Sequence, residues 1–326
     1  MTKILVALGG NAIKKSYEKG ITEEQFKNCR NTAESLAKII QNMKREDRLV
    51  VTHGNGPQAG NLLVQQEMAK AVVPPHPMDV VGAMTQGQIG YMLQQSLMNA
   101  LKDLGIDTPV CAIVNQVLVN KEDPEFAGDT ASKPVGEFLT EEEAEVLRAK
   151  YPNYIFKKVR PNDERPWRRT VPSPDPKRNL GSEAIKRMVD SGIIVIASGG
   201  GGIPVIEDGE GHYEGVEAVI DKDLAGEVLA EVIKADIFLI LTDVENVKLN
   251  FGKSDEKNID EMTVEEAELF LKEGHFLPGS MGPKVKACIR FLNHGGKMAI
   301  ITSLEKALEA LRGESGTKII ISHEDM

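Results

Sequence analysis

Three lysines stand in turn-like settings that a bound anion would explain. Lys222 lies in an Asp-Lys-Asp turn and Lys284 follows a Gly-Pro pair, each at the predicted start of a helix, while Lys133 opens the sequence KPVG. The helix dipole disfavours a cation in the first turn, so Lys222 and Lys284 are misplaced for stability unless they face negative charge. Phosphoryl transfer develops such charge, and positioned ammonium groups offset it. Each lysine alone fits a solvated surface residue, but the set predicts catalysis, with Asp223 as a carboxylate that could hold the lysines by ion pairing.

Glycine-rich turns follow three of the predicted strands. In doubly wound sheets, ligands bind beyond the carboxyl ends of the strands, where helix N-termini present free N–H groups to anions. A single turn of this kind is weak evidence, because glycine after a strand often serves only a tight connection. Three together predict several phosphate-like groups bound by backbone amides. The turns are Gly9-Gly10-Asn11, Gly54-Asn55-Gly56-Pro57 and the segment 198–202, which contains Gly199, Gly200 and Gly201.

Two segments of the chain resemble familiar nucleotide-binding motifs. The sequence Gly252-Lys253-Ser254 resembles the end of a P-loop, but the glycine that the motif requires is replaced by Val247. The turn that begins at Gly54 does satisfy the G-x-G-x-x-A pattern of dinucleotide-binding proteins, with Asp79 as a possible ribose ligand. A nicotinamide-dependent oxidoreductase therefore remains an alternative.

No histidine, cysteine or serine in these turns has an obvious partner that would make it a general base. His53 borders one turn, but a histidine at the end of a strand is more often structural than catalytic. An acceptor that is already an anion, such as a carboxylate or carbamate oxygen, needs no general base. The site therefore suits acyl-phosphate formation better than phosphorylation of an alcohol.

The elements that must position these residues alternate between short apolar runs and longer segments of helical period. Repeated βαβ units of this kind predict an α/β protein with a mainly parallel sheet and helices on both faces. The predicted strands are 4–8, 49–52, 110–119, 193–197, 237–242, 298–302 and 318–321, and the predicted helices are 22–45, 58–70, 79–105, 180–191, 222–235, 263–273 and 282–294.

Composition limits the class of protein. The 326 residues are 41% hydrophobic and 27% charged, which is enough to bury a large core and excludes a disordered chain. The net charge of −10 makes general binding to nucleic acid or to an acidic membrane unfavourable. No signal-peptide core or membrane span is found, so a cytoplasmic protein is expected. Three widely separated cysteines form neither a disulfide framework nor a metal pair, and no protein-bound metal is expected.

The segment 120–178 interrupts the alternation and predicts an inserted lid subdomain within a single domain that spans 1–326. Eight basic residues stand against three acidic ones in 157–178. Five prolines fall in 161–176, which predicts that this stretch forms neither helix nor central strand. A loop this long is usually functional or disordered, and a solvated basic excursion is the plainer alternative.

The segment 79–105 combines glycines with apolar residues, a pattern that lets backbones approach closely. Gly82, Gly87 and Gly90 lie among Met84 and Met98. This pattern predicts a dimer seam, with burial in the monomer core as an almost equal alternative.

The motifs together resemble those of carbamate kinases, which share the amino-acid kinase fold, and the resemblance runs almost from end to end. It rests on VALGGNAI (6–13), THGNGPQAGNLL (52–63), DVVGAMTQGQIGYML (79–93), KPVG (133–136), RRTVPSPDP (168–176), SGGGGIPVI (198–206), GVEAVIDKDLA (215–225), LTDVENV (241–247) and HFLPGSMGPKVKA (275–287). The resemblance implies a three-layer α/β/α sandwich that dimerises. It also implies that MgATP and carbamate are interconverted with MgADP and carbamoyl phosphate, commonly toward ATP synthesis in arginine catabolism.

The resemblance also implies roles for individual residues. Lys222 and Lys284 would stabilise the transition state, Asp223 would orient them, and Lys133 would reach in from the lid. Gly9, Gly10, Asn11, Gly54 and Asn55 would hold carbamate and the transferred phosphoryl group, and Gly199, Gly200, Gly201 and Asp243 would line the nucleotide side. Besides a carbamate kinase and an oxidoreductase, a catalytically silent sensor with this fold is the third possibility, against which the intact lysines weigh.

Overall fold

A computed structural model describes residues 1–15, 17–277 and 279–322 of the chain; Pro278, in the motif at 275–287, lies outside the described residues. The strands are β1 (Lys3–Leu8), β2 (Arg48–His53), β3 (Val110–Ala112), β4 (Gln116–Val119), β5 (Lys133–Leu139), β6 (Ile155–Lys158), β7 (Trp167–Val171), β8 (Pro176–Asn179), β9 (Ile194–Ile196), β10 (Ile203–Glu207), β11 (Tyr213–Gly215), β12 (Ile237–Thr242), β13 (Val247–Leu249), β14 (Lys257–Ile259), β15 (Glu261–Thr263), β16 (Met298–Ser303) and β17 (Thr317–Ile320). The α-helices are α1 (Thr22–Asn42), α2 (Gly56–Ala69), α3 (Met78–Asp103), α4 (Glu141–Lys150), α5 (Ser182–Asp190), α6 (Lys222–Ile233), α7 (Val264–Lys272), α8 (Met281–Asn293) and α9 (Ala307–Leu311).

The main sheet has eight strands in the order β15-β17-β16-β12-β1-β2-β9-β3. Neighbouring strands are parallel except for the antiparallel pair β16 and β17. The predicted α/β class with a mainly parallel central sheet is therefore confirmed. The polar turns that follow β1, β2 and β12 consequently meet at one edge of the sheet.

Two hydrophobic clusters cover the two faces of this sheet. In β1, Leu5 and Ala7 face the cluster that includes α5, α6 and α8, whereas Val6 and Leu8 face the cluster that includes α1 and α3. Side chains alternate between the faces of a strand, so a strand buried on both sides reads as a continuous apolar run. This is why the central strands are recognisable from the sequence.

The predicted strand 110–119 is wrong as a single element, because it divides into β3 of the main sheet and β4 of a second sheet. Asn115 lies at the break, where its Oδ1 accepts from Ser198 N at 2.7 Å and its backbone oxygen accepts from Ile203 N at 3.1 Å. These bonds redirect the chain into a four-stranded sheet in the order β11-β10-β4-β8, which the apolar pattern does not predict.

Residues 133–171 form a separate small sheet in the order β5-β7-β6, with α4 packed on it. The prediction that 161–176 contains no central strand is wrong, because β7 is the central strand of this sheet. Prolines flank β7 at Pro166 and Pro172 but do not fall within it, so its backbone N–H groups remain available for the ladder.

Within the described residues, no helix combines the length and the apolar character that crossing a membrane requires.

Candidate active site

A cavity of about 270 Å³ opens beyond the carboxyl ends of β1 and β2. The first turns of α2, α6 and α8 contribute to its wall. The first N–H groups of a helix have no acceptor within the helix, so three helix N-termini favour an anion in this space. Of the residues predicted for the site, the cavity is lined by Gly10, Gly54, Asn55, Lys133, Gly200, Lys222, Asp223 and Lys284.

Asp223 holds two of the three lysines, as expected from its place beside Lys222. One carboxylate oxygen pairs with the ammonium of Lys222, and the other lies 3.1 Å from Lys284 Nζ. The Asp223 side chain is only 3% exposed, whereas both lysines retain partial contact with the cavity. The carboxylate therefore acts as a buried anchor, and the two ammonium groups are directed toward the same space.

The third lysine reaches the same cavity from β5. Lys133 Nζ donates to Asp221 Oδ2 at 2.9 Å, and Asp221 Oδ1 caps α6 by accepting from Asp223 N at 2.9 Å. Asp221 thus links Lys133 of the inserted sheet to the helix that carries Lys222. Three ammonium groups and two carboxylates meet here, which leaves one net positive charge toward an anionic ligand.

The ionisation of these groups follows from burial and from the neighbouring charges. Burial alone would raise the pKa of Asp221, but the charge of Lys133 and its hydrogen bond lower this pKa to about 2. Burial lowers the pKa of Lys222 against the opposing charge of Asp223, and the ammonium of Lys284 lowers it further. Burial also opposes protonation of Lys284, but Asp223 outweighs it and raises the pKa of Lys284.

Close backbone approach explains the glycine at position 54. A Cβ at Gly54 would lie 3.3 Å from Lys222 Cδ and 3.6 Å from the backbone nitrogen of Gly10. The lysine stem thus lies over the turn after β2, next to the amide that begins the turn after β1. The two glycine turns and the ammonium of Lys222 are consequently close neighbours.

The side chain of Asn55 is held from two sides. Its Nδ2 donates to Thr85 Oγ1 of α3 at 2.9 Å. Gly200 lies beneath it, because a Cβ at that position would be 2.2 Å from Asn55 Nδ2. His53 is buried nearby, and burial lowers its pKa to about 4, so the imidazole is neutral at physiological pH; its Nδ1 lies 3.0 Å from the backbone oxygen of Gly54.

The remaining predicted residues lie elsewhere. Gly9, Asn11 and Asp243 line a second cavity of about 360 Å³. Gly199 and Gly201 are buried beside Gly200 and do not line either cavity. Since Gly9 and Gly10 are consecutive, the turn after β1 separates the two cavities, and Asp243 is still close enough to contribute to the raised pKa of Lys284.

The role of Asp221 was missed by the sequence reasoning, as was that of Thr85. The local signal for Asp221 was present, since aspartate is a preferred N-cap residue, but its partner Lys133 is 88 residues away. No signal in the sequence connects Thr85 with Asn55.

The arrangement can bind an anion and stabilise additional negative charge, and among the described residues that line it there is no assembled nucleophile and base. We call the 270 Å³ cavity that contains the three lysines the lysine cavity. Asp79, the ribose ligand of the dinucleotide interpretation, does not line the lysine cavity but packs against the backbone of Gly215. The oxidoreductase alternative is therefore not supported.

Comparison with known proteins gives a consistent result. The sequence model of the amino acid kinase family matches residues 2–303. A carbamate kinase from Thermococcus kodakarensis is 52% identical over 322 residues, which cover 98% of this chain and 99% of the relative. The corresponding protein of Clostridium perfringens is 49% identical, with 98% and 99% covered. A solved carbamate kinase from Giardia lamblia bound to AMP-PNP superposes with a TM-score of 0.89 at 41% identity, with 98% of each chain covered.

Proposed function

The chain belongs to the amino acid kinase family, and we infer that it is one of the carbamate kinases, which transfer a phosphoryl group reversibly between ATP and carbamate. The observation that carries this inference is the anchored group of lysines in a cavity bounded by three helix N-termini. High identity over nearly the full length to carbamate kinases identifies the acceptor. The sensor alternative is not supported.

We propose the following roles for the residues of the lysine cavity. Carbamate is bound near Asn55 and the amides of Gly10 and Gly54, with a carboxylate oxygen directed at the terminal phosphorus of ATP. That oxygen forms the new P–O bond while the bond to ADP breaks, and no proton has to be removed from the acceptor. Lys222 and Lys284 offset the charge on the transferred group, and Asp223 fixes their positions.

We also propose that the small sheet of residues 133–171, which lies within the inserted segment 120–178, acts as a lid that carries Lys133 on β5. Its ion pair to Asp221 shows how a residue of the inserted sheet can contact the site. Two connecting chains, residues 120–132 and 172–175, join this sheet to the rest of the protein, and we call them the neck. Closure of the lid would exclude water from the transferred phosphoryl group.

The nucleotide is proposed to bind on the side of Asp243. Gly199–Gly201 would support, from beneath, the glycine turns that follow β1 and β2. Mg²⁺ would enter with the nucleotide. Both carboxylates of the lysine cavity already have ammonium partners, and Mg²⁺ at such sites commonly takes most of its ligands from phosphates and water. The ion would neutralise phosphate charge and orient the β- and γ-phosphates.

The dimer is proposed to form along one face of α3. Met84, Tyr91 and Met98 are exposed and recur every seven residues, which places them on the same side of the helix, and Val114 is exposed beside them. By contrast, Val81, Met92 and Leu97 of the same helix are buried within the monomer. The helix therefore has both a core face and an exposed apolar face.

A cytoplasmic location and a role in arginine catabolism in the direction of ATP are proposed from the family resemblance.

The proposed reaction is tested by supplying carbamoyl phosphate and MgADP and measuring ATP. We expect ATP to form, and acetyl phosphate to support it much less well because the site would recognise the amide end of carbamate. Equal rates with the two acyl phosphates would contradict the substrate assignment. Protein heated to irreversible unfolding serves as the blank.

A further inference from the structure

Arg290 of α8 connects two parts of the molecule, the neck of the lid and helix α6. Its Nη1 donates to Asp175 Oδ1 at 2.6 Å, and its Nε lies 3.1 Å from Glu227 Oε2. Asp175 lies in the neck of the lid, and Glu227 lies on α6. One guanidinium therefore bridges the lid attachment and both helices that carry the transition-state lysines.

Glu227 is the buried end of this bridge. It follows Asp223 by one helical turn, and its side chain is 0% exposed. Its second oxygen is 2.9 Å from His294 Nδ1 at the end of α8. Burial raises the pKa of Glu227, which the hydrogen bond from His294 and the charge of Arg290 oppose. Because a buried carboxylate needs its partners to remain charged, Glu227 fixes the place of Arg290 against α6.

At the neck, where Arg290 contacts Asp175, two hydrogen bonds join the two connecting chains. Asp123 Oδ2, on the chain that leads to the lid, accepts from Asp175 N on the returning chain at 3.0 Å. Glu125 Oε2 accepts from Ser173 N at 2.9 Å in the same way. The two chains of the neck are thus cross-linked, and a force that holds Asp175 holds both of them.

We propose that Arg290 is a positioning residue for phosphoryl transfer. Through Asp175 it holds the neck, and through Glu227 it holds α6, so that Lys133 of the lid meets the site with the correct geometry. Lys284 lies six residues before Arg290 on the same helix. The contact between Arg290 and the neck therefore fixes the position of the lid relative to a catalytic cation. The inference rests on the proposed function, since it assumes that Lys133 acts on the phosphoryl group.

Asp175→Ala separates this role from a purely structural one. It removes the neck contact but leaves Arg290 paired with the buried Glu227. We expect kcat to fall roughly 10-fold or more, because small misplacements of a catalytic group cost up to about 10²-fold, while the KM for MgADP changes little. Lys286→Ala is the matched control. This lysine of α8 is 3.7 Å from the same carboxylate but 53% exposed, and its loss is expected to leave kcat within about two-fold.

Combination with Lys133→Ala tests whether the neck acts through that lysine. Lys133→Ala lowers kcat by itself, and Asp175→Ala added to it is expected to lower kcat no further, because there is no longer an ammonium group to position. Two independent structural defects would instead multiply.

Arg290 itself is tested in a background that protects the fold. Arg290→Gln alone leaves Glu227 buried without its cation and is expected to lower the unfolding temperature. The double variant Arg290→Gln with Glu227→Gln removes that buried charge. We expect its unfolding temperature to recover toward that of the original protein, while kcat stays at the low value of Asp175→Ala.

Three outcomes overturn the proposal. They are an unchanged kcat in Asp175→Ala, an undiminished effect of Asp175→Ala in the Lys133→Ala background, and a kcat that recovers together with stability in the double variant. Normal turnover in Lys133→Ala would refute the role of that lysine and this proposal with it. If Lys133→Ala is impaired and Asp175→Ala is not, the positioning role fails and the proposed function stands.

Discussion

Replacement of Lys222 by methionine is expected to lower kcat by roughly 10²–10³-fold, the scale for loss of one preorganised donor to developing charge. That loss corresponds to about 3–4 kcal/mol of transition-state stabilisation. Methionine retains an apolar stem of similar length, so the packing of Lys222 Cδ over Gly54 is largely kept and the ammonium is removed. Asp223 still has Lys284 at 3.1 Å, so no carboxylate is left without a cation.

The fold is expected to survive this change. Folding lowers the pKa of Lys222, so its protonated form is less favoured in the native state than in the unfolded chain at neutral pH. The first turn of α6 is also an unfavourable place for a cation. Removal of the charge should therefore not reduce the free energy of unfolding by more than about 1 kcal/mol.

The assay follows ATP formed from carbamoyl phosphate and MgADP, with kcat and the KM for MgADP determined separately. Lys222→Arg is expected not to restore full activity, because a planar guanidinium cannot occupy the position of a compact ammonium. Lys222→Ala should match Lys222→Met if charge alone matters. Near-normal turnover in Lys222→Met would refute the reasoning and leave Lys284 as the principal cation.

Four further predictions address pH, folding, the lid and association. Only the ammonium form of Lys222 offsets phosphoryl charge, so its lowered pKa in the free enzyme predicts that kcat/KM falls at a lower alkaline pH than the 10.5 of an ordinary lysine; a kcat/KM that stays constant to that pH would contradict this. Gly201→Ala is expected to lower the free energy of unfolding by at least about 1–2 kcal/mol in denaturant titrations, because φ is +94° and a Cβ would lie 2.4 Å from a backbone oxygen. Gly209→Ala, with no atom within 4 Å of its Cβ, should change it by less than about 0.5 kcal/mol, and equal effects of the two would argue against this account of the turn. Proteolytic nicking within 157–178 is expected to slow when MgADP and a phosphate analogue are added, and an unchanged rate would show that the lid does not close on ligand. Small-angle scattering should give a dimer mass at micromolar concentration that Tyr91→Arg reduces to that of a monomer; a monomeric original protein would refute the proposed seam.

Most of the central fold can be predicted from the sequence. Strands β1, β2, β12 and β16 are buried on both faces, so each contains a continuous apolar run that needs no tertiary information to be recognised. The resemblance to carbamate kinases likewise depends on contiguous motifs. The pairing of Lys222 with Asp223 is also local, because the two residues are adjacent.

The peripheral sheets could not be predicted in the same way. Their strands are short and partly exposed, and β7 differs from an irregular basic loop only through its partners β5 and β6. The division of 110–119 depends on Asn115, whose bonds to Ser198 and Ile203 join segments more than 80 residues apart. Local propensity carries no information about such partners.

Local patterns in the sequence are therefore enough to predict the α/β class, the central strands, the glycine turns and the three lysines proposed to act on the phosphoryl group, because each of these leaves a local pattern of polarity or backbone freedom. The partners that hold the lysines, by contrast, are known only from the folded chain. Lys284 reaches Asp223 across 61 residues, Lys133 reaches Asp221 across 88, and Arg290 reaches Asp175 across 115. An ion pair forms where folding brings two opposite charges within a few ångströms, and this condition does not depend on their separation along the chain.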